Sequence, residues 1–263
     1  MGAWTRRSAG VSVGIQASSL HADRATTAAW CMPSPYARRT HIKPLMPPRA
    51  LHPSGIILVD KPAGPTSFAI VAAIRRKTKA RTGHAGTLDP FATGLLLLLS
   101  GASTRLQPRF VGLSKRYDTE IDLTARTSTG DIEGERLDEH AAPALDELET
   151  GLDGLRGAVD LPIPAVSAVK IDGERAYALH RRGVVVEMPV RTMHVYDLAL
   201  AKYAEGIARL NLLVSSGTYI RAIADSLGGH CVALRRTEIG PFHVDEADPD
   251  RMLAPDEALA RLA

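Results

Sequence analysis

One carboxylate in this 263-residue chain stands in a setting that invites chemistry. Asp89 lies in Gly83-His84-Ala85-Gly86-Thr87-Leu88-Asp89-Pro90-Phe91-Ala92-Thr93-Gly94, directly ahead of the apolar run Leu95-Leu96-Leu97-Leu98-Leu99. An ionised carboxylate can act as a nucleophile, and loops held by a rigid scaffold are where such groups tend to lie. Gly83 and Gly86 permit a tight turn or the close approach of another chain segment. The Asp-Pro pair also has a structural reading, because Asp caps a helix and Pro suits its first position. Taken alone, the dipeptide favours that cap. Cys31 and Cys231 stand far apart with no C-x-x-C pair, and the histidines are scattered. No metal site is expected, and a reduced compartment is.

The elements that must position Asp89 are legible on either side. Leu95 to Leu99 is too short for a membrane span and reads as a buried strand, although leucine alone leaves a helix open. Ahead of it, Gly55 to Pro62 reads as a β-branched strand ending in a turn. A helix follows, capped by Thr66 or Ser67, with Ile70, Val71 and Ile74 on one face and Arg75, Arg76 and Lys77 closing it favourably for its dipole. Ser114 to Asp118 leads into Thr119 to Leu123, which alternates as a half-buried strand should. Thr127 to Gly134 is turn-like, and residues 140–156 read as an amphipathic helix through Leu145, Leu148, Leu152 and Leu155. Val184 to Val190, Met193 to Leu200 and Ile207 to Val214 read as strands. A helix opens at Ser215 to Arg221, and a short acidic helix covers Pro255 to Leu262.

Length suits one large domain or two small ones, and no apolar stretch reaches membrane length. The net charge of +3 is unevenly spread. Residues 1–50 hold seven Lys/Arg against the single acid Asp23, which leaves 25 basic and 28 acidic groups for residues 51–263. Basic side chains cluster at Arg75 to Arg81, at Arg105, Arg109, Lys115 and Arg116, and at Arg175, Arg181 and Arg182. That clustering fits a groove along a phosphate backbone, and equally a set of solvated helix faces. Residues 1–50 are Arg-rich and acid-poor without an apolar signal core. A transit peptide, a disordered extension and a start codon placed too early are all compatible with them.

The string G-H-A-G-T-L-D-P-x-A-T-G-L-L resembles the signature of the TruB family of tRNA pseudouridine synthases. Further segments resemble that family in the same order: Leu58-Val59-Asp60-Lys61-Pro62 with Thr66-Ser67, Lys115-x-Tyr117, and Pro164-Ala165-Val166-Ser167-Ala168-Val169-Lys170. Ala176-Tyr177 with Arg181-Arg182-Gly183, Ser215 to Arg221, and Leu234-Arg235-Arg236-Thr237 with Phe242 complete the set. His180 departs from the family pattern, while Arg181 keeps its basic position. Together the segments span Gly55 to Phe242.

The resemblance implies an α+β pseudouridine synthase fold, with a mixed, largely antiparallel bent sheet and flanking helices. Residues 51–244 would form the catalytic domain, 1–50 an extension, and 245–263 a short helical tail too small for a PUA domain. It implies isomerisation of a uridine, at position 55 in the T-loop of tRNA, with no cofactor because nothing is oxidised or reduced. By that resemblance Asp89 is the catalytic carboxylate, Arg221 its counter-ion, and Tyr117 the ring that stacks on a flipped base. Tyr219 and Leu234 would be pocket walls, and His84, Lys61 and Arg181 would support the site or contact RNA. On its residues alone Tyr117 also reads as a core tyrosine.

The expected partner is tRNA, with no membrane and no required protein partner. The expected state is a monomer in the cytoplasm, or in an organelle if residues 1–50 are a transit peptide. Lack of a PUA domain argues against an RNA-guided H/ACA-type synthase. Two rivals remain: a non-catalytic tRNA-binding or folding protein with the same cleft, and a phosphoryl-transfer enzyme using Asp89. The second lacks both a D-x-D pair and a G-x-x-x-x-G-K-[ST] loop.

Overall fold

Five leucines in a row with no exposed surface mark the strand on which the molecule is built. In the computed structural model, which describes residues 53–263, Leu95, Leu97 and Leu99 pack with Ile56, Leu58 and Phe110. Leu96 and Leu98 pack on the other face with Ile57, Val71 and Ile74. A strand covered on both faces has no need of polar alternation, so the run is apolar throughout.

In chain order the strands are β1 (Gly55–Lys61), β2 (Thr82–His84), β3 (Thr93–Ser100), β4 (Lys115–Asp122), β5 (Ala125–Thr127), β6 (Arg136–Glu139) and β7 (Gly157–Pro162). They continue as β8 (Lys170–Ile171), β9 (Glu174–Arg175), β10 (Val190–Ala204), β11 (Ile207–Val214), β12 (His230–Ile239) and β13 (Phe242–His243). The helices are α1 (Ser67–Thr78), α2 (Gln107–Val111), α3 (Leu145–Gly154), α4 (Ala176–Arg181), α5 (Ile220–Ser226) and α6 (Pro255–Ala260). A nine-stranded sheet runs β1-β3-β12-β4-β11-β10-β7, with β2 beside β3 and β13 beside β12. Only the β3–β12 pairing within it is parallel.

That pairing is the hinge of the architecture. It sets Arg236 opposite Gly94, while β4 on the other side of β12 sets Tyr117 opposite Arg236. Gly94 has φ +102°, and a Cβ there would lie 2.2 Å from the Arg236 carbonyl oxygen. Only glycine fits that close approach. Gly86, at φ +127°, makes the other demanding turn of the loop, whereas Gly83 has open space around it and an ordinary backbone.

Several expectations shift in detail. Thr66, not Ser67, caps α1, accepting from the Ala69 amide. The helix expected over 140–156 begins only at Leu145, whose side chain is exposed; Leu148 and Leu152 bury its apolar stripe. Residues 184–189 form no strand, because β7 ends opposite Val190 and leaves them without an edge to pair with. The segment expected as a tail closes the core instead. Leu253 bridges Ile56, and Leu253 and Ala258 are buried beside β1 and β3. Readings of residues 1–50, including Cys31, lie outside the described residues. Among the described residues no helix is long and apolar enough to cross a membrane.

Candidate active site

The chain between β2 and β3 carries Asp89, and three side chains hold it from behind. Ser67, at the start of α1, donates to the Leu88 carbonyl at 2.9 Å and accepts from the Leu88 amide at 2.8 Å. Lys61, at the end of β1 and wholly buried, donates to the carbonyls of Pro62, Pro90 and Ala92 at 2.9, 3.1 and 2.7 Å. Burial lowers its pKa from the usual lysine value, while the Asp89 charge pulls the other way. Arg236, on β12, donates to the carbonyls of Leu95, Thr87 and Gly86 at 2.7, 3.3 and 3.2 Å. No helix follows Pro90, since the chain enters β3 at Thr93, so Asp89 is free of a capping role.

Arg221 fixes the carboxylate from the front. Its Nε reaches Asp89 Oδ2 at 3.0 Å and its Nη2 reaches Oδ1 at 3.3 Å, a two-point contact matched to carboxylate geometry. The guanidinium is 3% exposed and the Asp89 side chain 34%, so the pair opens to solvent on the Asp89 side alone. The remaining Arg221 donors meet the Thr129 carbonyl at 2.6 Å and the Val166 carbonyl at 2.8 Å. Behind it, Asp131 Oδ2 stands 3.5 Å from Nη1 in a side chain that is 6% exposed. Asp131 in turn accepts from Thr129 Oγ1 at 2.5 Å and from the Glu133 amide at 3.0 Å. One arginine therefore spans two carboxylates, one buried and one presented.

Asp89 lines a cavity of about 260 Å³ together with Tyr117, Tyr219, Leu234, Lys115 and Ser167. That is just below the ~300–1,000 Å³ of sites for drug-sized ligands. Tyr117 is almost fully buried on β4, and Leu234 on β12 also lines a second cavity of about 650 Å³ beside Phe91 and Arg209. Lys115 closes one wall, donating to the Val111 and Leu113 carbonyls at 2.7 and 2.5 Å and to Ser216 Oγ at 3.3 Å. Burial, helped by the nearby Arg236 charge, brings its pKa down to about 8.

The fold thus brings together five of the residues expected at the site: Asp89, Tyr117, Arg221, Tyr219 and Leu234. Three stand elsewhere. Lys61 sits behind the Asp89 loop, where its ammonium is bonded to three carbonyls and lies outside the cavity lining. His84 on β2 turns its Nδ1 to accept the Gly86 amide at 3.3 Å and shapes the loop from within. Burial, then the Arg236 charge, lowers its pKa from the usual histidine value. Arg181 is exposed at the end of α4, outside the cavity lining.

Residues 75–220 match the N-terminal domain model of the TruB family pseudouridylate synthases. The tRNA pseudouridine synthase B of Corynebacterium efficiens is 42% identical over 229 residues, covering 79% of this chain and 77% of that protein. That of Leifsonia xyli subsp. xyli is 44% identical over 222 residues, covering 78% and 74%. The chain belongs to the TruB family. A chain of a Cbf5-Nop10-Gar1 complex superposes on it with a TM-score of 0.57 at 27% identity, over 73% of this chain and 50% of that one. This TruB-family chain thus spans half the length of that structural relative. Its fold is the pseudouridine synthase fold.

The TruB-family site also contains residues that sequence reasoning left without a role. Lys115 lies two positions before Tyr117 on the same face of β4, a relation readable from strand alternation. Arg236 and Ser167 fall inside segments that resemble the family. Asp131 sits in what reads as an ordinary turn, and no local signal marks it.

Proposed function

We propose that this chain isomerises uridine to pseudouridine in tRNA, at the T-loop position, with Asp89 as the reacting carboxylate and no cofactor. The observation that carries the reading is the Arg221–Asp89 pair at the mouth of a small cavity walled by Tyr117. Relatives named tRNA pseudouridine synthase B at 42% and 44% identity support the substrate.

The reaction breaks the N1–C1′ bond of the nucleotide, forms C5–C1′, removes the C5 proton and returns a proton to N1. Atoms and electrons balance without a co-reactant. Asp89 is fixed by the two-point contact with Arg221, so it is placed to attack the nucleotide or to take a sugar proton. Tyr117 stacks on the base, a contact worth about 1–3 kcal/mol, and Tyr219 and Leu234 keep the detached ring from leaving. Exposed basic side chains such as Arg75, Arg105, Arg109 and Arg181 position phosphates without reading sequence. Residues 51–244 carry this activity, as a monomer in the cytoplasm.

The test is incubation with unmodified tRNA transcripts in EDTA, followed by mapping of pseudouridine by mass spectrometry. Product confined to the T-loop is expected, with none when that uridine is replaced by cytidine. Tight tRNA binding without product would favour the non-catalytic RNA-folding reading.

A further inference from the structure

Ser167 is the one described residue with a buried side-chain polar atom that has no hydrogen-bond partner. It is 7% exposed and lines the same cavity as Asp89 and Tyr117. Its backbone is firmly placed: the Val166 carbonyl accepts from Arg221 at 2.8 Å, and the Ser167 carbonyl accepts from the Tyr177 amide at 3.1 Å. The segment is therefore anchored on both sides while the hydroxyl between those anchors is left unmet. A buried hydroxyl without a partner costs free energy, and each such group calls for an explanation.

We propose that the Ser167 hydroxyl is a hydrogen-bond partner of the bound pyrimidine, serving it both before and after the base turns over. This rests on the isomerase reading. Turning uracil about its N3–C6 axis exchanges N1 with C5 and O2 with O4, so the outline and the carbonyl positions are kept. A side chain bonded at one carbonyl position therefore meets a carbonyl again after the turn. A hydroxyl both donates and accepts, so it can also follow the N3–H edge during the rotation. An ammonium or a carboxylate could offer only one of those roles. The bond is absent in the free protein, where the hydroxyl oxygen is shut off from solvent, and a turn of the Ser167 side chain toward the cavity brings it to the base.

The experiment compares wild type, Ser167→Ala and Ser167→Cys in single-turnover conversion of a tRNA transcript, with tRNA affinity and thermal melting measured on the same samples. Ser167→Ala should slow conversion about tenfold, the worth of one net hydrogen bond. Its tRNA affinity should stay within about twofold, because phosphate contacts dominate binding. Its Tm should be unchanged or higher, since an unsatisfied group is removed. Ser167→Cys, of similar shape but a weak donor, should fall between. Conversion by Ser167→Ala at the wild-type rate would overturn the proposal, as would a lowered Tm, which would show the hydroxyl bonded within the protein. A wild type that makes no pseudouridine would overturn this proposal and the isomerase reading together.

Discussion

The cavity has two unlike walls. On one side, the Asp89 loop is bound by Lys61, Ser67 and Arg236 through six hydrogen bonds to its backbone groups, and its three supporting side chains are almost wholly buried. On the other, the chain from Ile163 to Pro189 forms one two-residue hairpin and a six-residue helix, and carries Val185 at 98% exposure. The first wall is complete in the free protein. The second touches the site through the Val166 carbonyl, Ser167 and Ala168. Reaction geometry must be fixed before substrate arrives, whereas a wall with an unmet hydroxyl leaves a bond to be made with substrate. Rigidity and unmet bonding are thus divided between the two sides of one pocket.

Removing Arg221 should break the comparison most severely, because both halves lean on it. Arg221→Met leaves Asp131 buried without its cation and costs about 3–5 kcal/mol of stability. Denaturant unfolding checks this, and activity should be lost even where the variant is folded. A variant with wild-type stability would mean that Asp131 is solvated in solution.

Arg236→Met should injure the rigid wall alone. Three charge-assisted bonds are lost, each about 1.5–3 kcal/mol at most, and partial relaxation of the loop would leave a net cost of about 2–4 kcal/mol. Turnover should fall more than tRNA affinity, since the loop carries Asp89 and not the phosphate contacts. Equal losses in the two would place Arg236 in RNA binding instead.

Lys115 supplies a pH signature. Its folded pKa of about 8 lies below the unfolded 10.5, so between those values the unfolded chain binds more protons. Stability should therefore gain with rising pH across that window from this group, and be lowest below pH 8 where the buried ammonium is charged. Wild type should gain stability relative to Lys115→Met when unfolding at pH 7 and pH 9.5 is compared. No difference in slope would contradict the burial seen on β4.

Val185→Ser, on the loose wall, should sharpen the contrast by doing little. A side chain so exposed should change stability by no more than about 0.5 kcal/mol. A larger loss in thermal melting would show that the segment packs more tightly than its structure indicates.

Much of the rigid wall was legible in sequence and little of the loose one. The leucine run, the alternation from Thr119 to Leu123 and the cap before α1 are local signals, and local signals survive reading without a structure. Asp89, Tyr117 and Arg221 were found through their motifs, although 28 residues separate the first two and 104 the last two. The positions of Lys61 and Arg236 behind the loop depend on strand order, above all the parallel β3–β12 pairing, which no residue pattern announces. Asp131 reaches the site only because its turn folds against Arg221. Val184, Val185 and Val186 are β-branched and the segment reads as a strand, yet residues 184–188 extend past the end of β7 and find no strand to pair with. Tertiary context overrode propensity there.

Tritium release from tRNA labelled at uridine C5 tests the central claim most directly, run with wild type beside Asp89→Asn and with tRNA binding measured on both. With Asp89 as the proposed reacting carboxylate, wild type should release label while Asp89→Asn releases none and still binds tRNA. Release by Asp89→Asn at a rate near that of wild type would remove Asp89 from the chemistry and leave its pairing with Arg221 a purely structural contact.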